Sequence, residues 1–556
     1  MTHAPRSTVF DDIYFSREDG LAETRHVFLQ GNDLPQSWQE HDVFHVAECG
    51  FGTGLNALAT AALFLKTTQP HQHLVFSSIE KYPLTRDEVS SALSHWGDEF
   101  AGLLETLCAQ LPLRLQGEHP ILLHPRVTLI LHYGDIAAGM QAIGGPVNAW
   151  FLDGFSPAKN PDMWQQPVFN AMRAKSAENA AFATFTAAGF VKRGLQQAGF
   201  AVEKVPGFGR KREMLRGRLQ AGLGQAMTGL RKGRIAIVGG GLAGCAAAYW
   251  ARHYGIDATI FETEDRLASG ASGNPTGLFN PRFSQEWNDA AHMYSSAYAL
   301  FARTVPTVPS GNLHLLTKPD RAARLTGFAQ NWGWHTDHVR LVNAREASDI
   351  AGIAIAHDAL YLPDGGPVSP VQVCQDWAGS TPLIPHINSA WDMLQDQYDA
   401  VVLANGAGVK DYAPAAHLPL QTVRGQIIRM AAHTGSASLK ANVQYGGYMS
   451  VPLNGLHTAG ATFQPWLTDT ALRDDDTAHI LNNLAKAVPS MAFNWTVVDG
   501  RAALRTTTPG RTPLIGHCGD GCFVSTAHGS HGLITSLWGG WTIIKALRFG
   551  WPIKTL

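Results

Sequence analysis

The sequence lacks the features that would place it in a membrane or mark it for export. Its 556 residues are 45% hydrophobic, yet no uninterrupted apolar run approaches the roughly 18 residues that a membrane span requires. Residues 1–6 do not combine a basic segment with an apolar core, so no export signal is recognised. The sequence therefore predicts a soluble protein of the cytoplasm that does not bind a membrane.

The cysteine content and the net charge of the chain are also low. The six cysteines are scattered, and the one close pair, Cys518 and Cys522, has no second pair to complete a zinc site, so no metal is expected. A net charge of −2 argues against a surface that binds polyanions throughout. Residues 210–234 are a local exception, with eight basic residues and one acid, Glu213. This stretch is either a solvated linker with basic flanks or an electrostatic patch for a nucleic acid.

Two glycine-rich loops, at residues 48–54 and 239–244, carry most of the functional signal. Each follows a short apolar run typical of a strand and precedes an Ala/Leu-rich helical stretch, so its glycines would let the backbone approach a ligand at a helix N-terminus. The first loop has the acid-x-G-x-G-x-G form associated with S-adenosylmethionine, and the second has the G-x-G-x-x-G spacing of a dinucleotide site. Their glycines are Gly50, Gly52 and Gly54 in the first loop and Gly239, Gly241 and Gly244 in the second.

The length of the chain agrees with two chemistries on two domains. A chain of 556 residues exceeds what one hydrophobic core normally organises. We predict an N-terminal domain at residues 1–216, a basic linker at 217–233 and a C-terminal domain at 234–556.

The first half alternates strand and helix signals as a doubly wound α/β sheet does. Predicted strands cover residues 43–47, 74–79, 127–131, 149–152 and 181–185, with a terminal hairpin at 200–205 and 213–215, and residues 84–111 are predicted to be inserted helices. Four acids fall at successive strand ends, where open parallel sheets bind ligands: Glu48, Glu80, Asp135 and Asp153. Singly, each acid would be a surface or capping residue. Together they favour ligand contacts, with Glu80 on ribose hydroxyls and Asp135 on an adenine amino group.

The second half has the pattern of a flavoprotein. The glycines of the second loop would hold a pyrophosphate, and Glu262, at the end of the next strand, would accept a hydrogen bond from the adenosine ribose. This loop alone suits NAD equally. A second small-residue loop at 268–275, with Ser272, Gly273 and Asn274, favours FAD because its backbone can approach the flavin ring.

A closing run at residues 527–534 adds two more glycines, Gly529 and Gly532, that would let backbone amides approach the flavin. His528 and His531 stand in the same run. Three residues apart, with no nearby acid or cysteine, they make a poor metal site, and structural roles are expected.

Four strings in the first half, at residues 14–32, 48–56, 153–161 and 206–214, closely resemble the methyltransferase half of the bifunctional tRNA 5-methylaminomethyl-2-thiouridine biosynthesis proteins. The second half resembles the flavin half of that family, and residues 501–516 resemble D-amino-acid and glycine oxidases. The likeness covers residues 14–537. His531 departs from it, because the family pattern suggests arginine there.

The resemblance implies an α/β fold in which a Rossmann-like S-adenosylmethionine methyltransferase domain is fused to an FAD-binding Rossmann domain with an α+β substrate subdomain. In the oxidases, the arginine at the position of Arg505 clamps the substrate carboxylate, and bidentate pairing is the physical reason for an arginine. A structural ion-pair role for Arg505 stays open.

The activity that the resemblance implies is two-step modification of the wobble uridine at position 34 of tRNA. FAD-dependent oxidation would remove the carboxymethyl group from 5-carboxymethylaminomethyl-(2-thio)uridine, and S-adenosylmethionine would then methylate the exposed amine, with Asp153 taking its proton. A monomer is expected. Two other classes stay open. One is a small-molecule amino-acid oxidase fused to an amine methyltransferase, which would be favoured if tRNA failed to compete with free glycine or sarcosine. The other is a scaffold that binds flavin without turnover.

Overall fold

The computed structural model describes residues 6–7, 11–15, 19–100, 102–220, 233–386, 391–519 and 521–556. The chain divides into two compact units. One is formed by Met1–Arg231 with Leu547–Pro552, and the other by Lys232–Ala546 with Ile553–Leu556. The domain boundaries at 216 and 234 stay predictions, and most of the linker between them lies outside the described residues.

The first unit is built on one large sheet with helices on both faces. Its strands are β1 (Arg6–Ser7), β2 (Asp12–Ile13), β3 (Val43–Cys49), β4 (His73–Glu80), β5 (Gly117–His124), β6 (Val127–Tyr133), β7 (Val147–Phe151), β8 (Ser176–Thr184), β9 (Phe200–Pro206) and β10 (Glu213–Leu219). Its helices are α1 (Gly20–Thr24), α2 (Leu55–Thr67), α3 (Arg86–Leu93), α4 (Leu103–Gln110), α5 (Ile136–Ala142), α6 (Gln166–Lys175) and α7 (Gly189–Gln197).

The eight-stranded sheet of this unit has the order β5-β6-β4-β3-β7-β8-β10-β9. Strands β6, β4, β3, β7 and β8 run parallel, and β3 at the centre is buried along its whole length, as a strand covered on both faces should be. The strand order reverses beside β3, between β4 and β7, which places the ends of these strands at the point where open α/β sheets bind ligands.

Strand β5 was not predicted, and its sequence explains why. It contains His119 and Pro120, which interrupt the apolar pattern, and it pairs with β6 only, in an antiparallel sense, at the edge of the sheet. Proline is tolerated at an edge because no neighbour needs its missing N–H. The terminal hairpin forms as predicted, but β10 continues through Leu219, so residues 217–219 belong to a strand rather than to a linker.

The second unit contains the remaining elements, except for the last three residues of the final helix, which belong to the first unit. Its strands are β11 (Arg234–Val238), β12 (Asp257–Phe261), β13 (Gly277–Leu278), β14 (Asn312–Leu315), β15 (Arg340–Val342), β16 (Ala359–Leu362), β17 (Pro367–Val368), β18 (Leu383–Ile384), β19 (Ala400–Leu403), β20 (Gln421–Ala431), β21 (Asn442–Gln444), β22 (Tyr448–Met449), β23 (Leu456–Gly460), β24 (Val497–Thr507), β25 (Leu514–His517) and β26 (Cys522–Thr526). Its helices are α8 (Leu242–His253), α9 (Asp289–Thr304), α10 (Pro319–Asn331), α11 (Ala344–Ala351), α12 (Pro370–Ala378), α13 (Trp391–Gln397), α14 (Asp474–Ala487) and α15 (Gly532–Phe549).

Two large sheets organise this unit. A six-stranded sheet, β18-β12-β11-β19-β26-β25, is parallel except for β25 and carries the nucleotide loops. An eight-stranded mixed sheet has the order β15-β16-β14-β21-β22-β23-β20-β24, and its longest pair, β20 with β24, places Val423 opposite Arg505. The predicted α/β class, with two Rossmann-like halves and a further α+β part, is therefore confirmed.

No helix among the described residues is long and apolar enough to span a bilayer.

Candidate functional sites

In the first unit, the ends of the neighbouring strands β3 and β7 bring Glu48 and Asp153 into one hydrogen-bond network. Asn56, in the first turn of α2, joins them, because its Nδ2 donates to Glu48 Oε1 and to Asp153 Oδ2, each at 2.8 Å. The Asn56 Oδ1 accepts from the Thr24 hydroxyl at 2.8 Å, and Ser78 Oγ donates to Glu48 Oε2 at 2.6 Å. Every polar atom of the asparagine is used, so its orientation is fixed.

Burial makes the two carboxyl groups of this network weak acids. It raises the pKa of Glu48 well above its ordinary value, and the nearby Asp153 raises it further. Burial also raises the pKa of Asp153 to about 7, against the opposing effect of the hydrogen bond from the Gly154 N–H. A carboxyl group with a pKa near neutrality is suited to exchange protons at physiological pH.

The first glycine loop is held by the acid that ends β4. Glu80 Oε2 accepts from the Gly52 N–H at 2.9 Å, and Oε1 accepts from the Tyr82 N–H at 2.8 Å. Gly50, Gly52 and Gly54 all have positive φ, which glycine adopts at little cost. Glu80 therefore fixes the first glycine loop through the Gly52 amide, and its contact with a ribose stays a prediction.

Asp135 follows β6, as predicted, and caps helix α5. Its Oδ1 accepts from the Ala138 N–H at 2.8 Å. The Oδ2 atom has no hydrogen bond with the described residues, so it stays available to a ligand amino group.

The structure thus places Glu48, Gly50, Gly52, Gly54, Glu80, Asp135 and Asp153 at or just after the carboxyl ends of β3, β4, β6 and β7. These groups fit an adenosyl ligand, because the amides of the glycine loop at the start of α2 can donate hydrogen bonds and the acids on either side can accept them. Asn56 and Thr24 had no predicted role. Asn56 stands in a string that carries the family resemblance, but its contacts depend on the fold.

The second unit contains a cavity of about 1420 Å³. Small-molecule sites usually measure about 300–1,000 Å³, so this cavity has room for a dinucleotide and a substrate. Its lining includes most of the predicted site residues of this half: Gly239, Gly241, Glu262, Ser272, Asn274, Arg505, Gly529 and Gly532. It also includes His531, for which a structural role was expected. Gly244 and Gly273 are not in the lining.

Gly244 has a packing role instead. It lies in α8, and a Cβ built on it would be 1.8 Å from the carbonyl oxygen of Gly239, so only glycine lets the helix approach the loop so closely. Glu262 Oε2 accepts from the Gly240 N–H at 2.7 Å. The loop amides at the start of α8 can donate to an FAD pyrophosphate, and the carboxylate of the acid that follows β12 can accept from the ribose hydroxyls.

Replacing Gly244 with alanine should yield protein with little bound FAD, because the new methyl group forces α8 away from the Gly239 loop. The ratio of flavin to protein absorbance measures this. Gly510→Ala is the matched control, since a Cβ there meets nothing within 4 Å. Full FAD occupancy in Gly244→Ala would contradict this account of the loop.

The second small-residue loop is anchored by an arginine that the sequence pattern did not single out. Arg501, on β24, donates to the Asn274 Oδ1 and to the Ser269 carbonyl, each at 3.1 Å, and to the Gly270 carbonyl. Ser272 Oγ accepts from the Leu242 N–H at 3.0 Å, which fastens the loop to the start of α8. Gly273 lies between these two anchors, packed under the Arg501 guanidinium.

Arg505 stands four residues further along the same strand and lines the cavity. Its guanidinium donates to the Thr462 carbonyl at 2.8 Å and to the Ser530 hydroxyl at 3.1 Å, and no acid of the described residues pairs with it. Gly425, on β20, leaves room for the Arg505 guanidinium, because a Cβ at position 425 would overlap the Arg505 Nη2. A cation without an anionic partner, held in a cavity wall, is suited to bind a substrate carboxylate.

His531 and His528 both line the cavity and differ in their hydrogen bonds. His531 Nδ1 donates to the Asn280 carbonyl at 3.1 Å, and burial lowers its pKa to about 4, so the cavity meets a neutral imidazole where the family pattern suggests arginine. His528 is bonded at both nitrogens, to Thr535 Oγ1 at 2.9 Å and to Ser525 Oγ at 3.2 Å. Across the described residues, no group of three or more His, Cys, Asp or Glu side chains is placed to hold a metal ion.

Three of the six described basic residues of the basic stretch form ion pairs with acids. The pairs are Lys211 with Glu23 at 2.9 Å, Arg216 with Glu203 at 2.5 Å and Arg218 with Asp33 at 2.7 Å. Arg231 and Lys232 lie outside the described residues. Pairing reduces the net charge that this stretch offers to a polyanion.

Comparison with known families defines the class of protein. Residues 98–220 match the S-adenosyl-L-methionine-dependent methyltransferase family, and residues 234–381 and 384–546 match the FAD dependent oxidoreductase family. The chain therefore joins a methyltransferase domain to a flavin oxidoreductase domain, and the predicted cofactors, S-adenosylmethionine and FAD, are confirmed.

Full-length relatives define the family. The tRNA 5-methylaminomethyl-2-thiouridine biosynthesis bifunctional protein MnmC of Methylobacillus flagellatus is 37% identical over 96% of this chain and 89% of its own length. The protein of the same name from Chromohalobacter salexigens is 36% identical over 93% of this chain and 80% of its own. A crystal structure of glycine oxidase from Geobacillus kaustophilus aligns with a TM-score of 0.49 and 21% identity over 58% of this chain and 97% of that one. The chain belongs to the family of bifunctional tRNA 5-methylaminomethyl-2-thiouridine biosynthesis proteins.

Proposed function

We propose that this protein modifies the wobble uridine of tRNA in two successive steps, one in each unit. The flavin unit removes the carboxymethyl group of 5-carboxymethylaminomethyl-(2-thio)uridine, and the methyltransferase unit then methylates the primary amine. The observation that carries this proposal is the presence, in one chain, of an acid-lined glycine loop and of a dinucleotide cavity with an unpaired Arg505.

In the flavin unit, Arg505 binds the carboxylate of the glycine-like group and so fixes the carbon beside it. When bound, FAD would supply the acceptor for the hydride that leaves this carbon, and the amine N–H would lose its proton to water. Water then hydrolyses the resulting imine to a primary amine and glyoxylate. Arg505 thus selects the carboxymethylated nucleotide and orients the C–N bond that is oxidised.

In the methyltransferase unit, Asp153 accepts a hydrogen bond from the substrate amine. Asn56 Nδ2 donates to the Asp153 Oδ2 at 2.8 Å and so holds the carboxyl group in place. When bound, S-adenosylmethionine would supply the methyl group, with the C–S electron pair left on sulfur as the N–C bond forms. The amine proton passes to the Asp153 carboxylate.

Mass spectrometry of wobble nucleosides tests both steps in cells that lack the protein. We expect the carboxymethylaminomethyl nucleoside to accumulate in those cells and in cells rescued with Arg505→Ala. Rescue with Asp153→Asn should instead accumulate the primary aminomethyl nucleoside. Wild-type nucleoside levels in cells that lack the protein would contradict the proposal, and a preference of the purified protein for free glycine or sarcosine would favour a small-molecule oxidase.

We further propose that the protein works in the cytoplasm as a monomer. Its proposed substrate is tRNA, and the described residues of one chain supply the groups named at each site. Gel filtration combined with light scattering measures the assembly state.

A further inference from the structure

Two large aromatic side chains are exposed on a turn at the mouth of the flavin-unit cavity. Phe463 is 47% exposed and lines the cavity, and Trp466, three residues later, is 72% exposed. Isolated exposed apolar residues are ordinary on protein surfaces. Two aromatic rings on one short turn beside a substrate cavity are a different arrangement. We call residues 462–467 the aromatic turn.

The aromatic turn is rigidly anchored from below. At its start, the Thr462 N–H donates to the Gln426 carbonyl at 3.1 Å, and the Thr462 carbonyl accepts from Arg505. At Gln464, the backbone bonds in both directions with Arg424. The fully buried Arg424 side chain also donates to the Gln464 Oε1 at 2.6 Å and to the buried Asp476 at 2.5 Å. The backbone that carries the two rings is therefore held at residues 462 and 464, which lowers the entropy cost of binding a partner.

The exposed Asp469, just after the aromatic turn, is paired with Arg473 at 2.7 Å. Two cations in the cavity lining are available to a polyanion. The Arg511 guanidinium lies 5.1 Å from the centre of the Phe463 ring, and Arg324, on α10, lines the cavity as an exposed side chain. Neither forms an ion pair with an acid of the described residues. The acids in the lining, Glu262, Glu264 and Asp411, follow strands β12 and β19 at the nucleotide end.

We propose that Phe463 and Trp466 form a stacking surface for the unpaired bases that flank the wobble nucleotide, with Arg511 contacting their phosphates. The inference rests on the proposed function. When the wobble nucleotide enters the cavity, the neighbouring bases of the anticodon loop are single-stranded and must lie at its mouth. Aromatic rings beside cations are the usual means of holding single-stranded RNA without reading its sequence.

Binding of a synthetic anticodon stem–loop RNA to the FAD-loaded full chain tests the proposal. Trp466→Ala should weaken binding about ten-fold, the order expected for loss of one stacked base. Trp466→Phe keeps a ring and should bind nearly as the wild type does. Trp466→Leu keeps an apolar side chain without a π face and should behave as the alanine variant. Leu341→Ala, at a 44% exposed residue on β15 at the opposite edge of the sheet, is the matched control.

Salt dependence separates stacking from charge. Trp466→Ala should lower affinity at every salt concentration without changing the slope of log affinity against log salt. Arg511→Gln should reduce that slope by roughly 0.7, the value for one phosphate contact on a single strand. Wild-type affinity in Trp466→Ala, or in Trp466→Leu, would overturn the stacking surface.

A separate measurement isolates the proposed function from this inference. Wild-type protein should reduce its flavin with a saturating concentration of tRNA that carries 5-carboxymethylaminomethyluridine at position 34. If it does not, the proposed activity fails, whatever the RNA-binding result. If it does, and the aromatic variants still bind the stem–loop normally, only the stacking surface fails.

Discussion

Replacing Asp153 with asparagine is expected to slow methyl transfer by about 10²–10⁴-fold, the usual contribution of a general base, while S-adenosylmethionine still binds. The amide keeps the shape of the side chain and can still accept from Asn56 Nδ2, but it cannot take a proton from the substrate amine. Single-turnover methylation of aminomethyl-uridine tRNA measures the rate, and calorimetry measures cofactor affinity.

The pH dependence of the same reaction gives a second readout. Burial raises the pKa of Asp153 to about 7, and the proton-accepting form is the carboxylate. The rate should therefore rise with pH through about 7 and level off above it, and the asparagine variant should lose this inflection.

Glu80→Gln is the contrasting control, because Glu80 faces the glycine loop and its loss should weaken cofactor binding rather than proton transfer. Normal turnover by Asp153→Asn would show that positioning of the amine alone suffices and that Asp153 is not the base.

Replacing Arg505 with alanine should slow flavin reduction by the carboxymethylaminomethyl substrate by about 10- to 150-fold, because a hydrogen bond to a charged group is worth ~1.5–3 kcal/mol. FAD should stay bound, since Arg505 contacts Thr462 and Ser530 rather than the nucleotide loops. Stopped-flow absorbance of the flavin measures the rate.

Arg501→Ala is the matched control for this prediction. Arg501 lies on the same strand but holds the loop at Ser269 and Asn274, so its loss should lower FAD content instead. Arg505→Lys keeps the charge without the planar fork and should fall between wild type and alanine. Unchanged reduction kinetics in Arg505→Ala would leave this arginine with a structural role only.

The sequence predicts well the features that depend on the spacing of residues close together in the chain. The two glycine loops, the strands before them and the acids at the strand ends follow from short patterns, and the structure places Glu48, Glu80, Asp135 and Asp153 as expected. The family and both cofactors follow from strings that resemble known proteins, and the comparisons confirm them.

Features that depend on distant partners were not predictable in this way. Asn56 joins two carboxyl groups that are 105 residues apart in sequence, from Glu48 to Asp153, and only the fold brings them to one amide. Arg501 and Arg505 stand in one string, yet one holds a loop and the other faces the cavity. The basic stretch suggests a strong patch, but the acids that pair with it, such as Glu23, lie far away in the chain.

The space that Gly425 leaves for Arg505 has an evolutionary consequence. The two residues lie on the same side of adjacent strands, since Arg505 is opposite Val423 and Gly425 is two positions further along. A side chain at 425 would occupy the volume of the guanidinium, so neither position can change freely while the other stays fixed. Among homologous sequences, positions 425 and 505 should covary, with larger residues at 425 only where arginine at 505 has been replaced by a shorter side chain.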